Sequence, residues 1–181
     1  MFISSRKAIE EKWIIGVRDE SQIQPNAIDI TADRMFKLND HNAFTFNSAG
    51  KTHRNRTELV NPDVWKLEPG VYDIVSDCYV EMRQGVAGYL ITRSTLNRNS
   101  VFIQSGLYDS GYKGPVQCML YNLFGITVLE PGISVAQFVF VDAPSNHNYK
   151  GGYNTEKGQL PDYIESSDPL HVDKKPWMRK P

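Results

Sequence analysis

The stretch "SGLYDSGYKG", residues 105–114, sets one carboxylate, Asp109, beside a serine and a glycine and three residues ahead of an aromatic ring, Tyr112. A carboxylate at such a bend has two uses. It can bond neighbouring backbone amides and simply make the turn, or it can orient a water molecule and accept its proton. Other chemistry is easier to exclude. The four histidines, His41, His53, His147 and His171, are scattered, and no C-x-x-C or H-x-E pairing supplies zinc ligands. There is no G-x-x-x-x-G-K-[ST] loop, so a phosphate site must be built another way.

The elements that must position Asp109 read as β structure. "SSRKAIEEKWI" is expected to form a short helix, capped by Ser4 or Ser5, with Ile9 and Trp13 on one face and Gly16 ending the pattern. After it, "NAIDITA", "GVYDIVSDCYVEM", "AGYLITRS", "SVFIQSGLY", "PVQCMLYNLFGITVL" and "VAQFVFVDA" alternate as strands between Gly, Pro, Asn and Asp. "EPG" occurs at Glu68-Pro69-Gly70 and again at Glu130-Pro131-Gly132, and each suits a type II turn. Many short strands with regular turns point to a sandwich, jelly roll or related barrel.

The polar stretch 40–63 carries Lys51, His53, Arg54 and Arg56 and is expected to be a solvated loop or hairpin excursion. A nucleic-acid contact would want more basic residues interleaved with stacking aromatics. From Asp142 onward the chain holds five of its ten prolines and little apolar periodicity, which describes a tail that is ordered only where it docks. Residues 1–165 are read as one domain and 166–181 as a polar tail, since 181 residues suffice for a single core. With 20 basic against 21 acidic residues, nothing calls for a polyanionic partner. The expectation is a chain with no membrane span and no signal-peptide core. Cys78 and Cys118 need no bridge, so a reduced, cytoplasmic setting is the simplest reading.

Taken in order, "QPNAIDIT", "LEPGVYDIVSDCYVEM", "TRSTLNR", "SGLYDSGYKG", "PGISVAQFVF" and "GGYNTEKGQLP" resemble the dCTP deaminase and dUTPase superfamily over most of the chain. The resemblance implies an all-β, distorted jelly roll (a β-clip) with a short N-terminal helix and an extended C-terminal flap. It also implies a homotrimer with active sites between subunits, acting on a deoxynucleoside triphosphate. The N-terminal helix, "QPNAID" and "LEPG" look more like the deaminase branch. The chemistry departs from it. Deaminases of this family carry a glutamate five residues past the glycine that corresponds to Gly114, and here that place is Met119. A thioether neither accepts nor delivers a proton at neutral pH, whereas removing an amine from C4 of cytosine needs a group that does both.

By the same resemblance Asp109 matches the dUTPase aspartate that activates water against the α-phosphorus, giving dUMP and pyrophosphate. Tyr112 matches the ring that packs on deoxyribose. Gly106, Gly111 and Gly114 would let backbone amides and carbonyls approach the base, with Gln104 or Ser105 adding a side-chain bond. "TRSTLNR" matches the phosphate motif: Ser94 and Thr95 with backbone amides, and Arg93 and Arg98 as charge-assisted donors. One of these arginines has an alternative, an interface role or a pair with Asp29. The run from Arg93 to Asp109 is about two residues short for the family. Gln137 matches a glutamine that contacts phosphate, and equally could satisfy a neighbouring backbone group. In the flap, Lys150 and Lys157 would meet the γ-phosphate and Tyr153 would cover the base, although Gly152 and Glu156 depart from the deaminase pattern. Mg²⁺, held mainly by the triphosphate, would supply the missing positive charge. The expectation is a dUTP pyrophosphatase. A dCTP deaminase, with or without the pyrophosphatase activity as well, and a non-catalytic nucleotide-binding trimer are the alternatives.

Overall fold

A computed structural model describes residues 1–39, 43–60 and 63–161. Among the described residues two short α-helices, α1 (Ser5–Glu10) and α2 (Ser94–Arg98), and a 3-10 turn at Glu20–Gln22 accompany thirteen strands. These are β1 (Ile14–Ile15), β2 (Ile28–Thr31), β3 (Arg34–Leu38), β4 (Phe46–Asn47), β5 (Gly50–Lys51), β6 (Arg56–Glu58), β7 (Trp65–Leu67), β8 (Gly70–Glu81), β9 (Val86–Thr92), β10 (Val101–Gln104), β11 (Lys113–Asn122), β12 (Thr127–Leu129) and β13 (Ser134–Asp142).

Two sheets dominate. One runs β10-β11-β8-β3-β6, with β1 against β8; the other runs β2-β13-β9. All these pairs are antiparallel. Strand β8 is buried along most of its length, as suits a long apolar strand with neighbours on both edges. Between the sheets Tyr108, Phe138 and Phe140 stack in a tilted series, with centroids 4.9 and 4.7 Å apart. Gly88 lies directly over Phe138, and a Cβ there would collide with the ring.

The expected strands are present, with instructive differences. "SVFIQSGLY" keeps strand geometry only to Gln104. The chain then leaves the first sheet, and Tyr108 exchanges two backbone bonds (2.8 and 2.9 Å) with Gly88 of β9 in the second. That crossing opens the space beside Asp109 and Tyr112. "PVQCMLYNLFGITVL" breaks into β11 and β12 because buried Asn122 turns its amide onto the Leu67 and Gly125 carbonyls, both at 2.9 Å. The predicted type II turn has its positive φ at Gly132 (83°), whereas Gly70 is already part of β8. Helix α1 ends at Glu10 rather than running to Gly16, with Lys12 in the left-handed region, and Ser4 at its N-cap makes no side-chain cap bond.

The polar stretch after β3 is only partly the solvated excursion its composition suggests. β4 and β5 form a small hairpin, but Lys51 is buried, and β6 joins the main sheet through β3. Arg56 is drawn in by Asp73 of the central strand, and Lys51 packs against Tyr153 of the tail. The tail docks on the 109–112 turn: Tyr149 N–H donates to the Ser110 carbonyl (2.6 Å) and Thr155 N–H to that of Lys113 (3.0 Å). The polar tail 166–181 and the last residues of the 1–165 domain lie outside the described residues. Among the described residues no helix is long and apolar enough to cross a membrane.

Candidate active site

The crossing at 105–112 roofs a cavity of about 320 Å³. Its floor is the face shared by β10, β11 and β8. Gln104 pairs with Met119, and Met119 pairs in turn with Asp73, so three side chains of one sheet face line it. Gln117, Cys118, Ser105, Gly106 and Tyr112 complete the near wall, while His53 and Arg56 close the far side. Tyr149 and Tyr153 of the tail cover it.

Tyr112 is held from both sides. Its ring stands edge-on to Tyr108 (5.3 Å) and to Tyr149 (5.7 Å), and burial pushes its phenol far above the ordinary value, so it stays neutral. Gly114 must lack a side chain because the Tyr112 hydroxyl occupies that space. Tyr108 fixes the opposite wall by donating to the Gln117 carbonyl (2.6 Å) and accepting from its N–H (2.9 Å). Tyr153 stacks under Lys51, whose ammonium lies 3.9 Å from the ring centroid and also donates to the tyrosine hydroxyl.

Asp109 is exposed and lines a neighbouring cavity of about 650 Å³ with Ser145, His147, Asn148 and Lys150. Leu107 and Tyr149 belong to both cavities, so Tyr149 is the partition between the carboxylate and the space beneath Tyr112. Burial raises the Tyr149 phenol, and the Asp109 charge raises it further. The turn itself is tight: Tyr112 N–H donates to the Asp109 carbonyl (3.0 Å), with Gly111 at φ 80°.

The remaining expected residues lie elsewhere in the single chain. Ser94 and Thr95 sit exposed at the start of α2 and Arg98 exposed at its end, so the motif is helical rather than a strand terminus. Arg93 Nη1 stands 3.4 Å from Asp29 Oδ2, and Gln137 donates to Asp29 Oδ1 at 2.9 Å. Both thus converge on one buried carboxylate, and the pair Arg93–Asp29 is the alternative the sequence had offered. Lys157 is exposed and lines neither cavity.

What sequence reasoning missed is the Arg56–Asp73 pair. Arg56 Nε donates to Asp73 Oδ2 at 2.7 Å, with the two side chains 10% and 3% exposed. Burial pushes the Asp73 carboxyl above its ordinary range, and Arg56 pulls it back. A carboxylate inside the apolar run "VYDIVS" was the available signal, because an acidic residue in a central strand needs a partner.

The model of dCTP deaminase-like domains matches residues 4–143. The chain belongs to that family. A dUMP-forming dCTP deaminase of Bifidobacterium longum is 32% identical over 166 residues, covering 83% of this chain and 86% of its own. A deoxyuridine 5'-triphosphate nucleotidohydrolase of Methanocaldococcus jannaschii is 29% identical over 138 residues, 75% of this chain and 86% of the relative. Among solved structures, the 2'-deoxycytidine 5'-triphosphate deaminase of Agrobacterium tumefaciens superposes with a TM-score of 0.61 at 14% identity, over 77% of this chain and 47% of that one. The dCTP deaminase-like family thus includes enzymes named for action on dCTP and on dUTP, and the largely β architecture is theirs.

Proposed function

We propose that this chain is a dUTP pyrophosphatase that converts dUTP and water to dUMP and pyrophosphate. One observation carries the reading. Met119, at the position where the family's deaminases keep a glutamate, lines the cavity beneath Tyr112, while Asp109 remains exposed in the adjoining space. The base cavity thus has a thioether at that slot and the phosphate side has a carboxylate. Asp109 would orient water in line with the α-phosphorus and take its proton, and positioning and base assistance together supply the rate. Tyr112 would pack on the sugar, and Gln104, Ser105 and Gly106 would meet the base.

Arg93, Ser94, Thr95, Arg98 and Gln137 line neither cavity, which favours a site completed by a second copy in a homotrimer, with these residues on the triphosphate. Mg²⁺ fits this arrangement. It is a hard cation that keeps water and phosphate oxygens as ligands, and among the described residues no group of three His, Cys, Asp or Glu side chains gathers to cage a metal. When bound, the ion would offset phosphate charge. Tyr153 would close over the base, and Lys150 and Lys157 would approach the terminal phosphate as the flap settles. A cytoplasmic setting suits both the substrate and the unpaired cysteines.

Incubation of the purified chain with Mg²⁺ and dUTP, followed by separation of products, tests the reading. Accumulation of dUMP with pyrophosphate is expected, and intact dUTP would overturn it. Ammonia from dCTP would instead favour the deaminase reading that several relatives' names suggest.

A further inference from the structure

The Arg56–Asp73 pair has no part in the mechanism above, yet both side chains line the cavity assigned to the base. Asp73 faces Met119 across β8 and β11, and both line the cavity. Strand β3 lies between β8 and β6, so Arg56 extends over it to reach Oδ2. Among the described residues Oδ1 receives no hydrogen bond, which leaves that oxygen for whatever enters.

The chemistry of that oxygen is restrictive. An ionised carboxylate only accepts hydrogen bonds; burial raises the Asp73 carboxyl above its ordinary value, and the charge-assisted bond to Arg56 works against that rise in favour of the ionised form. Placed in a cavity only 2% open at Asp73, it favours a base edge rich in N–H. Uracil offers a single N–H flanked by two carbonyls, so a carboxylate in its plane also meets an oxygen. Cytosine offers an exocyclic amine, the group that Asp and Glu accept from when they read this base.

We propose that Asp73, positioned by Arg56, is a specificity-determining residue that admits an amino-bearing pyrimidine, so that the chain also hydrolyses dCTP to dCMP and pyrophosphate with the amine retained. The step is the hydrolysis already assigned, and the inference rests on that reading for turnover. Water oxygen bonds to the α-phosphorus, the bond from that phosphorus to the bridging oxygen breaks, pyrophosphate leaves, and Asp109 receives the water's proton. No group at position 119 hands a proton to the amine, so the C4–N bond stays intact.

Binding separates this proposal from the catalytic one. The α,β-imido analogues of dCTP and dUTP resist hydrolysis, so their affinities by calorimetry with Mg²⁺ do not depend on Asp109 acting as a base. The wild type is expected to bind the dCTP analogue at least as tightly as the dUTP analogue. Asp73→Asn, which presents a donor as well as an acceptor, should shift that ratio toward dUTP by about tenfold or more. The single variant leaves Arg56 buried without its counter-charge and can fail to fold. The double variant Arg56→Gln/Asp73→Asn removes both charges and should shift the ratio the same way. A wild-type preference of tenfold for the dUTP analogue, or a ratio unmoved by the substitutions, overturns the proposal. In turnover, dCMP from dCTP is expected. Ammonia release, or dUMP from dUTP with no dCMP from dCTP, overturns it. If neither nucleotide is hydrolysed, the pyrophosphatase reading falls and the affinity ratio alone decides the role of Asp73.

Discussion

Asp73 and Met119 are cross-strand partners on β8 and β11, and both side chains line the same cavity. A second carboxylate at 119 would therefore stand directly opposite a buried one. Like charges in that relation destabilise a sheet, and Asp73 at least is shielded from water. Met119→Glu should lower the melting temperature, and the loss should be larger at pH 8 than at pH 4, where protonation relieves the repulsion. Adding Asp73→Asn to that variant should recover part of the loss at pH 8. Equal losses at both pH values would mean that the two side chains do not share the space. If the site is otherwise intact, Met119→Glu should also release ammonia from dCTP, which a coupled assay reads directly.

Asp109→Asn keeps the shape of the turn and removes the basic oxygen. Since Asp109 is exposed, stability should hold within about 0.5 kcal/mol. The kcat for dUTP should fall by roughly 10²–10⁴-fold with KM little changed. Steady-state pyrophosphate release measures both. A drop confined to KM would make Asp109 a binding group rather than a base.

The turn at 109–112 was readable in the sequence because it is written contiguously. Asp109, Gly111 and Tyr112 sit within four residues, and the bend geometry follows from a glycine at φ 80°. The strands were legible because alternation survives wherever one face is buried, as along β10. Arg56 and Asp73 were not. They lie 17 residues apart on strands separated by a third, and nothing local shows that a guanidinium in a polar stretch will be drawn into the core. The break after Asn122 was hidden for a related reason. Its cause is a side-chain amide that satisfies the Leu67 carbonyl, 55 residues away. Tyr149 escaped notice because its role comes from docking, and a Pro-rich tail carries no periodicity that predicts what it will cover.

Gly111 joins the turn to the tail. It holds a left-handed φ, and a Cβ there would collide with the Asn148 side chain. Gly111→Ala should cost about 1–2 kcal/mol from the backbone alone and should lift residues 148–153 off the turn. Tryptic cleavage after Lys150 should then accelerate well before global unfolding. Unchanged cleavage in a folded variant would show that the tail is held by other contacts, such as Tyr79 Oη on the Thr155 carbonyl at 2.7 Å.

Cys78 is one of the groups that weaken the fold at alkaline pH. The thiol is buried in β8, and burial pushes it up from 9.0 to about 11, partly offset by the Ser76 hydroxyl. A raised folded value means that the fold prefers the protonated thiol. Its contribution is complete below pH 9 and is lost as pH climbs from 9 to about 11. Two units correspond to something on the order of 3 kcal/mol. Cys78→Ala should be less stable than the wild type at pH 8, because it leaves a small void. That deficit should shrink steadily between pH 9 and 11, since the variant lacks this thiol while Cys118 and the tyrosines titrate in both proteins. A deficit that stays constant across that interval would show that the thiol already ionises as freely in the fold as in the open chain.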